Sequence, residues 1–244
     1  LEMFQAYGFA AQVIQEAYGV NEVAFWKPDP SNPAHIVRSS KINDVEEDLS
    51  EMPHVIINQA RIHDHFLNVM RNSAAKTEPF YSRKLIDLTV DHADDEYPVT
   101  LTFERAVTHS QFNREVETVK CKFAVGCDGA RSQVRKSIGH ELVGDALNQA
   151  WGVMDILAVT DFPDIRLKAA IQSIKEGNVL IIPREGGYMV RMYIELDKLR
   201  EDERVDRKNM TVDVLIRAAN RIMAPYKLDV KEVPWWSVYE IGQR

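Results

Sequence analysis

Residues 120–139 read KCKFAVGCDGARSQVRKSIG, in which an apolar run leads directly into an Asp-Gly pair and a helix start. The run 123–127 has the length and composition of a buried strand. Gly129 permits a tight turn that brings the backbone close to a ligand. Ser132 is suited to cap a short helix over 133–138. A helix that starts this way presents unpaired N–H groups and a partial positive charge, which together favour a phosphate.

Two arginines strengthen the case for an anion at this turn. Arg131 and Arg135 are four residues apart, so they share one helical face and offer cationic donors. The same pattern also suits a surface strand, turn and helix whose arginines are solvated. The motif by itself leaves both interpretations open.

Other parts of the sequence add a family resemblance. The apolar run followed by D-G-A-R-S-x-V-R resembles the second flavin motif of the flavoprotein aromatic hydroxylases. Further stretches are similar to the phenol hydroxylase and 3-hydroxybenzoate hydroxylase branch, and together they cover nearly the whole chain: LEMFQAYGFA, VIINQARIHDHFL, WGVMDILAVTDFPDI, LIIPREGGYMVRMYIEL and WWSVYEIGQR. The resemblance implies that Asp128 and Arg135, with Gly129 as the turn, lie near the FAD pyrophosphate and the path of NADPH. It also implies that Gln59, in N-Q-x-R, approaches the ribityl chain of the flavin.

Two elements of the family pattern are missing from this chain. No G-x-G-x-x-G occurs among its eleven glycines, although that motif holds the ADP pyrophosphate in the family. The third flavin motif, a Gly-Asp pair, is expected shortly after Arg244. We therefore expect the chain to be the central part of a longer enzyme.

Composition restricts the partners and the compartment. The chain has 244 residues, 45% of them hydrophobic, which is enough for a substantial core. A net charge of −7 argues against nucleic acid or an anionic membrane surface as the main partner. No apolar run approaches the length of a membrane span. Cys121 and Cys127 fall on one predicted strand over 119–127, so a disulfide between them is not expected, and the cytoplasm is the predicted location.

The apolar patterning predicts an α+β fold with a mixed and largely antiparallel sheet. The predicted elements are a helical segment over 1–18 interrupted at Gly8, a strand over 54–57, a helix from Asn58, a hairpin of 85–90 with 99–103, a meander of 151–159, 169–174, 179–182 and 188–196, a helix capped by Thr211, and a last strand around 235–239. With the resemblance, residues 1–12 and 56–148 are expected to form part of a Rossmann-like FAD-binding domain. Residues 13–55 and 149–244 are expected to form the substrate-binding domain.

The substrate candidates lie on the strand over 188–196. Arg191 and Tyr193 are two residues apart, so both point to the same face of a sheet. That face is either a pocket wall or a solvent face. The resemblance implies that both residues line the site near the phenolic oxygen. Tyr193 is then expected to polarise the substrate hydroxyl and Arg191 to stabilise the phenolate.

Weaker candidates lie elsewhere in the chain. His63 can serve as a hydrogen-bond partner of the substrate, and Lys168 can neutralise a substrate carboxylate; either residue can equally be a solvated side chain. Asp155 lies in an apolar strand, so it is either a hydrogen-bond hub or a pocket residue. His63 and His65 point about 200° apart on a helix, and the chain has no H-E-x-x-H or C-x-x-C, so no metal site is predicted.

The resemblance implies an FAD- and NADPH-dependent monooxygenase. NADPH reduces the flavin, the reduced flavin captures O₂ as a flavin hydroperoxide, and the distal oxygen attacks the ring ortho or para to a phenol hydroxyl. The branch also resembles dimeric enzymes, which implies a homodimer. Two alternatives stay open: a related flavoenzyme with epoxidase or oxidase chemistry, and a flavin-free module that binds aromatic ligands or acts as a scaffold.

Overall fold

The computed structural model describes residues 1–46, 48–52, 54–106, 114–144, 146–198 and 210–242. The chain divides into two compact units, one from residues 1–75 and 145–243 and the other from residues 76–144. Mixed and antiparallel sheets with few helices make up the described residues, which confirms the predicted α+β class. None of the described helices has the length and apolar character that a membrane span requires.

The described residues form five helices and twelve strands, numbered in chain order. The first seven are α1 Glu2–Ala6, α2 Ala10–Glu16, β1 Tyr18–Gly19, β2 Glu22–Pro28, β3 Ile36–Asn43, β4 Val55–Ile56 and α3 Gln59–Asn72. The second unit contains β5 Arg83–Val90, β6 Val99–Ala106, β7 Arg114–Cys121 and α4 Gln133–Ser137. The first unit then resumes with β8 Ala146–Thr160, β9 Lys168–Gln172, β10 Asn178–Pro183, β11 Val190–Lys198, α5 Val212–Ile222 and β12 Leu228–Gly242.

Seven strands of the first unit form one sheet in the order β12-β8-β11-β10-β9-β2-β3. Only β2 and β9 run parallel; the other neighbours are antiparallel. The predicted meander is confirmed for β9, β10 and β11 but is wrong for β8. That strand lies beyond β11, between β11 and β12, rather than beside β9. Hydrophobic patterning identifies strands but not their neighbours, so this crossover was not visible in the sequence.

One face of this sheet packs against α5. Met154, Met192 and Ile181 are opposite one another on three adjacent strands, and all three are fully buried. The helix buries four residues at the predicted helical spacing: Leu215, Ala218, Ala219 and Ile222. Burial of aliphatic side chains on both surfaces is the main stabilising contribution to this unit.

Several local predictions near the N-terminus are confirmed. The helical segment is interrupted at Gly8, whose φ is 83°. Residues 29–35 connect β2 to β3 as a hairpin, an arrangement that is not among these predictions. Asn58 caps α3, since its side chain accepts a hydrogen bond from the Ala60 amide at 2.9 Å.

The predicted strand over 123–127 is wrong. The strand β7 ends at Cys121, and residues 123–127 belong to no helix or strand and pair with no described strand. Phe123 and Val125 are each 87% exposed. A strand requires a hydrogen-bonded neighbour, and apolar composition alone does not supply one. The hairpin of β5 with β6 in the same unit is confirmed.

A buried carboxylate fastens the loop after β8 to the β2/β3 hairpin. Asp164 is 3% exposed and accepts hydrogen bonds from Arg38 Nε at 2.7 Å and Arg38 Nη2 at 2.5 Å. The Trp26 indole N–H donates to the same carboxylate at 2.9 Å. This buried group is therefore fully hydrogen-bonded, as burial of a charge requires.

Gly152 provides a test of the contact between α5 and the sheet. A Cβ at this position would lie 2.2 Å from Leu215 Cδ2, although its backbone conformation is ordinary. We predict that Gly152→Ala lowers the free energy of unfolding by about 1–3 kcal/mol through overpacking, measured by urea denaturation.

Gly19→Ala is the matched control, because a Cβ there meets nothing within 4 Å. The Gly19→Ala substitution should leave the urea concentration at the unfolding midpoint nearly unchanged. Equal effects of the two substitutions would contradict the packing described for α5.

Candidate functional site

The face of the sheet opposite α5 carries a row of four side chains on four adjacent strands. Arg191 on β11 is opposite Ile182 on β10 and Asp155 on β8. Asp155 is in turn opposite Trp235 on β12. Side chains directly opposite in antiparallel strands lie close enough to contact one another. The row therefore places a cation, a carboxylate and an indole side by side.

The Arg191 guanidinium is held from two directions. Its Nε and Nη2 donate to the two oxygens of Asp155 at 2.7 and 2.8 Å, a bidentate ion pair. Its Cζ lies 4.9 Å from the centre of the Trp235 ring, within cation–π range. Hydrogen bonding to Asp155 is the main cause that raises the pKa of Arg191, with a smaller contribution from Tyr193.

Arg184 brings a second buried guanidinium to the same place. It immediately follows β10 and is 6% exposed. Its Nε and Nη2 donate to Glu185 at 3.1 and 3.0 Å, and its Nη1 lies 3.9 Å from Asp155 Oδ2. The local charge is balanced, because two arginines face two carboxylates.

These side chains border a cavity of about 570 Å³. That volume lies in the range that holds a small organic ligand. The lining residues are Ile56, Ile57, Asn58, Gln59, Asp155, Ile182, Arg184, Arg191, Tyr193, Trp235 and Tyr239. The structure therefore brings Gln59, the predicted flavin contact, to the same cavity as the predicted substrate contacts Arg191 and Tyr193.

Sequence reasoning missed the aromatic part of this wall. Trp235 and Tyr239 are four residues apart on β12, so the strand period puts both on one face. The alternation was visible in the sequence, but it did not reveal that β12 lies next to β8. The sequence left open whether Asp155 is a hydrogen-bond hub or a pocket residue. In the structure it is both, because it binds Arg191 and lines the cavity.

Neither His63 nor Lys168 lines this cavity. His63 is exposed on α3. Lys168 Nζ donates to Asp44 Oδ1 at 2.6 Å, and His54 Nδ1 lies 2.5 Å from the other Asp44 oxygen. Burial raises the pKa of Asp44, but its hydrogen bonds with Lys168 and His54 outweigh that effect and hold the pKa below its ordinary value. The substrate roles of His63 and Lys168 stay predictions, and the charge of Lys168 is already balanced.

The Asp128 turn belongs to the second unit and is internally hydrogen-bonded. Asp128 accepts from Ser132 Oγ at 2.5 Å and from the Gln133 and Val134 amides at 2.6 and 3.2 Å. The Ser132 hydroxyl is the main cause that lowers the pKa of Asp128. Ser132 Oγ also accepts from the Arg135 amide at 3.0 Å, which confirms the predicted cap.

This arrangement corrects one expectation from the sequence. The first amides of α4 were predicted to be free for a phosphate, but Asp128 and Ser132 already bind them. Gly129 has a φ of 76°, which confirms the tight turn. Arg135 Nη2 donates to the Ala130 carbonyl at 2.7 Å, so Arg135 closes the same turn.

In the described part of the chain, no cluster of three or more histidine, cysteine, aspartate or glutamate side chains is arranged to hold a metal ion.

Comparison with known proteins identifies relatives along the whole chain. A family model described as an FAD binding domain matches residues 1–244. The chain is 59% identical to a 3-hydroxybenzoate 4-monooxygenase of Comamonas testosteroni over 245 aligned residues, which are 100% of this chain and 38% of the relative. It is 33% identical to a phenol 2-monooxygenase of Aspergillus fumigatus, again along 100% of this chain and 39% of the relative.

A solved structure shares the fold. The flavin-dependent monooxygenase PieE, in complex with FAD and substrate, superposes with a TM-score of 0.69 at 15% identity, covering 99% of this chain and 41% of that protein. The chain therefore spans about two-fifths of the length of these three proteins. Because the family model and these relatives match from one end of the chain to the other, the chain belongs to the FAD binding domain family, in the FAD-dependent aromatic monooxygenase group that includes 3-hydroxybenzoate and phenol hydroxylases.

Proposed function

We propose that this chain forms the phenol-binding part of an FAD- and NADPH-dependent monooxygenase that hydroxylates a phenolic substrate with O₂. The cavity that joins Gln59 to Arg191 and Tyr193 carries this proposal. The similarity to a 3-hydroxybenzoate 4-monooxygenase and a phenol 2-monooxygenase supports it.

The cavity wall suits a phenol. Trp235 and Tyr239 offer aromatic surface on which a ring can pack. Tyr193 can exchange a hydrogen bond with the substrate hydroxyl, and Arg191 supplies fixed positive charge where the hydroxyl becomes a phenolate. Because Asp155 holds the guanidinium in place, little reorganisation is needed when that negative charge develops.

The residues present also fit the flavin. Gln59 lies at the start of α3 on the cavity wall, and its side chain makes no hydrogen bond to another described residue, so its amide is available to both donors and acceptors. FAD, when bound and reduced, would supply the electrons that activate O₂, and O₂ supplies the oxygen atom that is transferred to the ring. The protein would orient the phenol, stabilise its anion and keep bulk water from the reacting ring.

The turn of the second unit is proposed to contribute to FAD binding indirectly. Asp128 fixes the turn, Gly129 provides its left-handed residue, and Arg135 closes it. An ordered turn costs less conformational entropy when a cofactor binds to it. We propose that Asp128 acts by keeping this turn ordered rather than by contacting FAD directly.

Finer features of the function are proposals from family resemblance. NADPH is the proposed reductant, aromatic catabolism the process, a homodimer the assembly and the cytoplasm the location. Cys121 and Cys127 are both free thiols, which supports a reducing compartment.

The direct test uses the protein expressed from its complete gene. Bound flavin is measured by absorbance, and NADPH oxidation and product formation are followed with a panel of phenols and hydroxybenzoates. We expect at least one phenol to stimulate NADPH oxidation and to leave as its hydroxylated product. No stimulation by any phenol would overturn the hydroxylase proposal, and an epoxide or a dehydrogenated product would indicate a related flavoenzyme instead.

Tyr193→Phe tests the substrate side of the cavity. The substitution removes the tyrosine hydroxyl, and with it a hydrogen bond to the phenolate that develops on the substrate. We therefore predict a roughly 10²-fold lower hydroxylation rate with flavin content unchanged. Tyr188→Phe is the matched control, because Tyr188 precedes the same strand but is 84% exposed and lies outside the cavity wall. Comparable losses in both variants would count against the assignment of Tyr193.

Asp128→Ala tests the turn. We predict that the purified complete protein retains less FAD, because the carboxylate that holds Ser132 and the first amides of α4 is gone. The pKa of Asp128 lies below its ordinary value of 3.8, so this support is complete above about pH 4 and is lost as the pH falls through the lowered pKa.

The matched control for the turn is Asp94→Ala. Asp94 also accepts backbone N–H bonds in an exposed turn of the second unit, from Glu96 and Tyr97, and its pKa is likewise lowered. Unchanged FAD content in the Asp128 variant, or equal loss in both, would contradict the proposed role of the turn.

A further inference from the structure

Among the described residues that line the cavity, Asp155 is the only one with a carboxylate side chain. Its side chain is buried, and it faces two guanidinium groups: Arg191 through two hydrogen bonds and Arg184 at 3.9 Å. Arg184 is further paired with Glu185. Tyr193 and Tyr239 are the other ionisable side chains of the wall.

We propose that Asp155 is a positioning residue that fixes Arg191 on Trp235 and offsets part of its positive charge. The cavity then binds the phenol in its neutral form, and Arg191 stabilises the phenolate only as it forms in the reaction. This inference rests on the function proposed above and adds a residue and a charge state to it.

Geometry and electrostatics both lead to this role. The bidentate ion pair with Asp155 occupies Nε and Nη2 of Arg191, and Trp235 covers one face of the guanidinium. Only the remaining N–H donors of Arg191 can therefore bind a ligand. A buried carboxylate within 3 Å of this cation opposes its field at the ligand. Without Asp155 the wall would carry an excess positive charge, and such a charge favours a bound phenolate.

The experiment measures the ionisation of a bound phenol rather than turnover. The complete, FAD-loaded protein is mixed with 4-nitrophenol without any reductant, and the pKa of the bound probe is read from difference absorbance across a pH series. Asp155→Asn keeps the size of the side chain and removes its charge. We predict that it lowers the pKa of the bound probe by about one unit or more relative to the unaltered protein.

Asp164→Asn is the matched control for burial. Asp164 is also a buried aspartate that binds an arginine through two hydrogen bonds, but it does not line the cavity. It should reduce stability without moving the pKa of the probe. A second variant, Arg191→Gln, leaves the carboxylate unbalanced and should raise that pKa, so the inference stays testable if Asp155→Asn does not fold.

The outcomes separate the two proposals. An unchanged or raised pKa of the probe in Asp155→Asn, or a lowered one in Arg191→Gln, would overturn the role of Asp155 while the hydroxylase function stands. Failure of the unaltered protein to bind 4-nitrophenol or any other phenol would overturn the proposed function and this inference with it.

Discussion

The bidentate ion pair between Arg191 and Asp155 is the constraint on which the candidate site depends. It joins the neighbouring strands β11 and β8 at a single register, and a slip of either strand by one residue would place Arg191 and Asp155 on opposite faces of the sheet. Buried ion pairs add little net stability, because desolvation offsets most of the attraction. We infer that the value of this pair lies in specifying register and in holding a charged group at a fixed place.

The same strands build the core and the site through strict alternation. Met154 and Met192 point to α5, while their neighbours Asp155 and Arg191 point to the cavity. The packing against α5 and the cavity wall are therefore built by adjacent residues of the same two strands.

Local patterns in the sequence predicted the parts that depend on local chemistry. The period of two placed Arg191 and Tyr193 on one face, and helical spacing found α5. The order of the strands in the sheet could not be predicted from these local patterns, because β8 pairs with β11 and β12, which are distant in sequence. The run 123–127 has the composition of a strand, but pairing requires a neighbour that composition does not specify.

Partners distant in sequence account for the remaining differences. The sequence alone indicated no partner for the charge of Lys168. In the structure it binds Asp44, which is 124 residues away in sequence. The free amides at the start of α4 were predicted from the helix start alone, and the carboxylate of Asp128 satisfies them instead. The meeting of Gln59 with Arg191 followed from family resemblance, since no pattern within either segment indicates it.

The decisive measurement is a crystal structure of the complete protein with a bound phenol. We expect the ring to lie between Trp235 and Tyr239, with its hydroxyl within hydrogen-bond distance of Tyr193 Oη and the ion pair between Arg191 and Asp155 intact. A phenol bound outside this cavity would contradict the proposed site. So would a broken ion pair in which Arg191 binds the ligand without Asp155.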